Sequence, residues 1–213
     1  MFALTKLEDI DLSKLNTKNV KNMSFMFYGC SSLYSINITI ETSEVTNMSN
    51  LFSGCESLSN VNLSYFDTSK VEDMSYMFHN CISLVDIDLT NLNTKSVIEM
   101  SHMFDYCTSL SSLDLSKFDT SNVKNMSYMF KYCSTLKELN IESFKTSQVS
   151  DMSQMFYFCH SLTSIDISNF DTTNVKDISY MFSYCSDLLI LNLTNFKTNN
   201  VQNMSHLFEN CNR

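Results

Sequence analysis

The chain has 213 residues, no Pro or Trp, only two Gly, and a formal net charge of −9. Its 14 Lys and Arg are scattered, whereas nucleic acid and anionic membranes are held by clustered basic surface, so neither is an expected partner. No apolar run approaches the roughly 20 residues of a membrane span, and Leu, Ile, Val and Phe recur too steadily for a disordered polar tract.

Those apolar residues recur because the chain repeats itself. Cys30, Cys55, Cys81, Cys107, Cys133, Cys159, Cys185 and Cys211 are separated by one interval of 25 residues and six of 26. A fixed period of this length is the mark of a repeat array, in which each unit rests on its neighbours. Residues 1–213 therefore read as a single solenoid of eight units.

The opening Met1-Phe-Ala-Leu-Thr-Lys6 is too short and too polar for a signal peptide. Leu7 begins the first unit, and Cys211 closes the last with Asn212 and Arg213 beyond it. Solenoid ends need covers, and none is recognisable at either end. The expectation is a segment of a longer protein, or ends that are covered by self-association of one copy with another.

Each unit starts with alternation, as in Ile10-Asp11-Leu12, Ile87-Asp88-Leu89 and Leu113-Asp114-Leu115. Apolar residues two apart share one face of a strand, so every unit contributes a short strand, and stacking in register predicts a parallel sheet about 4.8 Å from strand to strand. The second unit, Ile36-Asn-Ile-Thr-Ile40-Glu-Thr42, is one residue shorter than the others. A local adjustment of its turn is expected, with the register kept on both sides.

The second half of each unit changes period. Val123, Met126, Phe130 and Cys133 are spaced 3, 4 and 3 apart, which is one stripe of a helix. Thr120, and its equivalents from Thr17 to Thr198, stand where a hydroxyl caps the first turn. A shorter helix capped at Asn125 and its equivalents, after a 3₁₀ turn, fits as well. The fold class expected is therefore α/β: a leucine-rich-repeat-like solenoid of about eight strand-turn-helix coils, with a parallel sheet on one face. Helices need 8–10 Å of separation against 4.8 Å for strands, so the sheet is expected on the concave side.

Between the paired apolar strand residues sits a polar ladder that includes Asp88, Asp114, Asn140, Asp166 and Asn192. These side chains face away from the core, on the open sheet, and are the candidate ligand-binding residues. A second ladder, Ser116 and its equivalents, follows two residues on. The plainer reading of both ladders is solubility and lateral hydrogen bonding. Their carboxylates favour a basic or hydroxyl-rich ligand, and no cofactor or metal is implied.

The cysteines end each apolar stripe and read as buried free thiols; no Cys-x-x-Cys pair exists. His79, His102, His160 and His206 suggest no recurring constellation. Tyr106, Tyr128, Tyr132, Tyr157, Tyr180 and Tyr184 gather on the helical segments of the later units, as packing or as a second contact surface. The seven Asn-x-Ser/Thr sequons follow from the repeat itself.

The string Leu-Asp-Leu-Ser-x-Phe-Asp-Thr-Ser-x-Val-x-x-Met-Ser-x-Met-Phe-x-x-Cys resembles the BspA-type leucine-rich repeat, in the branch common in mycoplasma lipoproteins and once labelled a domain of unknown function. The likeness spans about Leu7 to Cys211. It implies a non-enzymatic protein of the cell surface, or a secreted one, that mediates adhesion or protein recognition. Its partner would be a protein or glycan on a host or neighbouring cell. The competing reading is a cytoplasmic scaffold or spacer array, in which reduced thiols are natural.

Overall fold

In the computed structural model, which describes residues 1–211, the chain winds into a stack of eight coils, numbered here I to VIII by the cysteine that closes each. Six short strands form: β1 (Ser35–Asn37), β2 (Asn60–Asn62), β3 (Ser112–Asp114), β4 (Glu138–Asn140), β5 (Ser164–Ile165) and β6 (Ile190–Leu191). They pair in parallel as β1–β2, β3–β4 and β5–β6, with Ile36 opposite Val61, Leu113 opposite Leu139 and Ile165 opposite Leu191. The expected continuous sheet is thus three separate pairs.

The two coils without a strand share a cause. Asp9 and Asp86 stand, in coils I and IV, at the position that opens the strand in the other coils, where those carry Ser, Asn, Glu or Ile. The amide of Ile10 donates to Asp9 Oδ1 (2.7 Å), and that of Ile87 to Asp86 Oδ1 (2.8 Å). A side chain that captures a local amide competes with the inter-strand ladder.

No helix forms among the described residues, which corrects the α/β strand-turn-helix expectation. The Met-Ser-x-Met-Phe-x-x-Cys segment is instead a ribbon of turns bonded to the next coil at every second residue. In coil V the amides of Met126, Tyr128, Phe130 and Tyr132 donate to the carbonyls of Asp151, Ser153, Met155 and Tyr157. The amides between them close tight turns within the coil, as from Lys131 to the Tyr128 carbonyl. This alternation requires left-handed backbone twice per coil, for example at Tyr128 (φ 61°) and Tyr132 (φ 57°). In coils I and II the second of these positions is glycine, Gly29 and Gly54, which adopt it without a Cβ penalty.

The continuous ladder of the molecule lies on this side. Parallel bridges run unbroken from Asn22 through Asn47, Asp73, Glu99, Asn125, Asp151 and Asp177 to Asn203. Phe27 and its equivalents stack coil on coil with ring centroids 5.4–6.0 Å apart. Coil spacing is therefore nearly strand-like here too, and no helix bulk on this side makes the strand face concave.

The predicted caps do different work. Thr120 is fully buried; its hydroxyl donates to the Lys145 carbonyl (2.9 Å) and accepts from the Lys145 amide (2.7 Å). The same double bond joins Thr42 to Asp67, Thr68 to Asn93, Thr94 to Asp119 and Thr172 to Lys197. Thr is a strut between coils. Asn125 does terminate a turn, its Oδ1 accepting from the Ser127 amide and hydroxyl (3.0 and 2.7 Å).

One apolar core runs from Leu12 to Cys185, and all eight cysteines are free. Each thiol donates to the carbonyl of the Phe one coil back, as Cys133 Sγ does to Phe104 (3.2 Å). Coil II keeps the register as expected, with steps of 25 residues from Asn22 to Asn47 and 26 from Asn47 to Asp73. Residues 1–5 are a finding of the structure. They repeat the Met-Phe-x-x-Cys half-unit, Phe2 stacking on Phe27 at 5.6 Å and Thr5 standing beside Cys30, and so partly cover coil I.

Candidate functional site on the strand face

Alternation along the strands sends Leu113 and Leu115 inward and leaves Asp114 outside. Asp88, Asp114, Asn140, Asp166 and Asn192 are all exposed. Four of these five candidates come together. Asp88, Asp114, Asn140 and Asp166 line a groove of about 700 Å³ across coils IV to VII, together with Asp86, Glu138 and Lys137. Asn192, one coil further on, is outside it. The groove straddles coil IV, which has no strand, and the unpaired step between coils VI and VII.

The two polar ladders are halves of one device. Asp114 Oδ1 accepts from the Ser116 amide (2.9 Å), and Asp166 Oδ1 from the Ser168 amide (2.9 Å). Asp88 Oδ1 accepts from both the amide and the hydroxyl of Thr90 (2.9 and 2.6 Å). Asn140 and Asn192 make the same turn with Glu142 and Thr194. The bonds run along the coil rather than laterally between coils. They hold one oxygen of each carboxylate and keep Asp88, Asp114 and Asp166 below the usual carboxylate range, through the amide and hydroxyl two residues on. The second oxygen is left to the groove. Five carboxylates against one ammonium make this face acidic and aim it at cations and hydroxyl donors.

The histidines are more organised than their spacing suggests. His102 Nδ1 lies 2.8 Å from Asp105 Oδ2, and His206 Nδ1 lies 3.0 Å from Glu209 Oε2, the same pair three residues apart in coils IV and VIII. His79 Nδ1 is also 3.4 Å from Asp105 Oδ2. Burial pushes the Asp105 carboxyl up, but hydrogen bonding to His102 and His79 outweighs it and the net shift is downward. The recurring His-x-x-acid spacing was the available signal. Among the described residues no group of His, Cys, Asp and Glu is arranged to hold a metal ion.

A sequence profile for the family described as Mycoplasma protein of unknown function, DUF285, matches residues 1–113 and 107–213. A leucine-rich cell-surface protein from Faecalibacterium prausnitzii superposes with a TM-score of 0.51 at 23% identity, over 80% of this chain and 42% of that one. A leucine-rich repeat protein of T. pallidum gives 0.47 at 22% identity, over 75% and 79%. One from Eubacterium ventriosum gives 0.49 at 18%, over 89% and 62%. The chain thus spans less than two thirds of two of these three structures. No curated protein matches it. The fold is that of a leucine-rich repeat solenoid.

Proposed function

Because the chain belongs to this DUF285 family, we propose that it is a non-enzymatic recognition array that binds a protein ligand across its strand face, at the cell surface or after secretion. The observation that carries this reading is the groove over coils IV to VII. Solenoids present ligands with an extended face built of equivalent positions, and here four equivalent positions supply Asp88, Asp114, Asn140 and Asp166 to one groove. Each is fixed by its own turn, so little side-chain freedom is lost when a ligand engages the second oxygens of the three carboxylates and the Asn140 amide nitrogen. A basic or hydroxyl-rich segment of a protein on a host or neighbouring cell matches that chemistry, and adhesion is the corresponding role. The alternative is a cytoplasmic scaffold or spacer without a dedicated ligand.

The test is a binding screen of the folded chain against matrix proteins, glycans and host-cell surface proteins, beside Asp88→Lys/Asp114→Lys/Asp166→Lys. A protein ligand lost in the variant supports the reading. A glycan ligand lost in it keeps the site and changes the partner. Binding that survives moves recognition off this face, and no binding at all favours the spacer.

A further inference from the structure

Left-handed backbone is disfavoured for side chains with a Cβ, and bulky residues tolerate it worst. At the second left-handed position, coils I to III and VIII carry Gly29, Gly54, Asn80 and Asn210, residues suited to it. Coils IV to VII carry Tyr106, Tyr132, Phe158 and Tyr184 instead, at φ between 57° and 63°. The turn itself does not need rings, since half of the coils form it without them. What these residues add is an aromatic strip on the outer side of the ribbon.

Tyr106 stacks on Tyr132 at 4.4 Å, Tyr132 meets Phe158 at 5.0 Å, and Phe158 meets Tyr184 at 5.4 Å. Tyr157 stands edge-on to Tyr132 and Tyr184, at 5.4 and 5.6 Å. The strip already holds a cation. The Lys131 ammonium lies 4.9 Å from the Tyr128 centroid, 5.5 Å from Tyr157 and 5.6 Å from Tyr132. The Tyr157 phenol beneath it is pushed up to about 12, first by burial, then by Tyr132 and Tyr184 and by the nearby Glu209 carboxylate. Beside it, Tyr128 is raised by burial and by the charges of Asp151 and Asp177. The rings keep partial exposure, 37% at Tyr106.

We propose that this strip is a second recognition surface, for an arginine-bearing protein segment whose guanidinium takes the place that Lys131 now occupies. A planar guanidinium stacks on aromatic faces better than an ammonium and is more weakly hydrated, so arginine displaces the internal lysine at lower cost. The strip shares no residue with the groove, and the two faces stand or fall separately.

The experiment is titration of a labelled hexa-arginine peptide, with hexa-lysine and hexa-glutamate beside it, read by anisotropy and by amide shift mapping. Hexa-arginine should bind most tightly and shift the amides of residues 131–132 and 157–158. Lys131→Met removes the internal competitor and should tighten binding about threefold to tenfold, more than Lys145→Met, which removes the same charge elsewhere. Tyr132→Leu and Tyr157→Leu should weaken it by a similar factor, and only variants with wild-type thermal unfolding are compared. Asp88→Asn/Asp114→Asn/Asp166→Asn should leave strip binding intact. The proposal is overturned if hexa-arginine does not bind, or if its shifts map to the strand groove. It fails equally if Lys131→Met is no tighter than Lys145→Met, or if folded Tyr variants bind like wild type.

Discussion

Thr120→Val separates a strut between coils from a helix cap. Valine keeps the shape of the side chain and removes the hydroxyl that serves both the amide and the carbonyl of Lys145. Those two backbone groups are left without their partner at a position where Thr120 is fully buried. An unsatisfied buried polar group costs about 1–3 kcal/mol, and the Lys145 side is partly open to water, so the expected loss is about 2–4 kcal/mol. A lost cap would cost about 1 kcal/mol. Thr198 is the internal control: it occupies the same place in coil VIII, is exposed, and its hydroxyl makes no such bond among the described residues. Thr198→Val should therefore be nearly silent. Urea unfolding followed by tyrosine fluorescence measures both, the midpoint moving with an unchanged slope. A loss at Thr120 below about 1 kcal/mol, or equal losses at the two sites, would refute the strut.

Phe130 is fully buried between Phe104 and Phe156, at 6.0 and 5.6 Å, so Phe130→Ala should cost about 3–5 kcal/mol in the same unfolding assay. Glu99 stands where the other coils place Asn or Asp, makes no bond to the Ser101 amide, and is raised by burial and by Asp73. Glu99→Asn supplies the missing turn and removes the desolvated charge, and should raise the midpoint by the equivalent of about 0.5–1 kcal/mol. Asp67, Asp88, Asp119 and Asp171 titrate below the ordinary 3.8, held down by hydroxyls and amides two residues on. Their stabilisation is complete above that value and is lost as pH falls through their lower native values. Thermal melts should therefore be flat for these groups down to about pH 4 and fall below it. The thiols of Cys55 and Cys185 are pushed up to about 12 by burial. Alkylation of the native protein, mapped by mass spectrometry, should label half-buried Cys211 first and the other seven only on unfolding.

The repeat, its register, the inward strand residues and the exposed Asp and Asn ladder were all legible in the sequence, because period-2 alternation has one structural meaning. The spacing of Val123, Met126, Phe130 and Cys133 was not so restrictive. Residues 3 and 4 apart face one way on a helix, and they also do so on a ribbon of successive turns in which two residues reverse the backbone. Gly29, Asn50, Gly54, Asn80 and Asn210 carried that information. Tyr, His, Gln and Phe at the same positions in coils IV to VII disguised it. The Thr column was visible, but a hydroxyl beside a turn looks alike whether it serves its own coil or the next. The groove was out of reach for another reason: it spans coil IV, where Asp86 takes a local amide and no strand forms, and the unpaired step between coils VI and VII.

Both proposed faces rest on coils that pack without helices. Far-ultraviolet circular dichroism of the folded chain tests that most directly. The account predicts a spectrum of turns and short strands, without the paired helical minima, that is lost cooperatively with heat. Strong helical minima from about a third of the residues, as eight short helices would give, would contradict it.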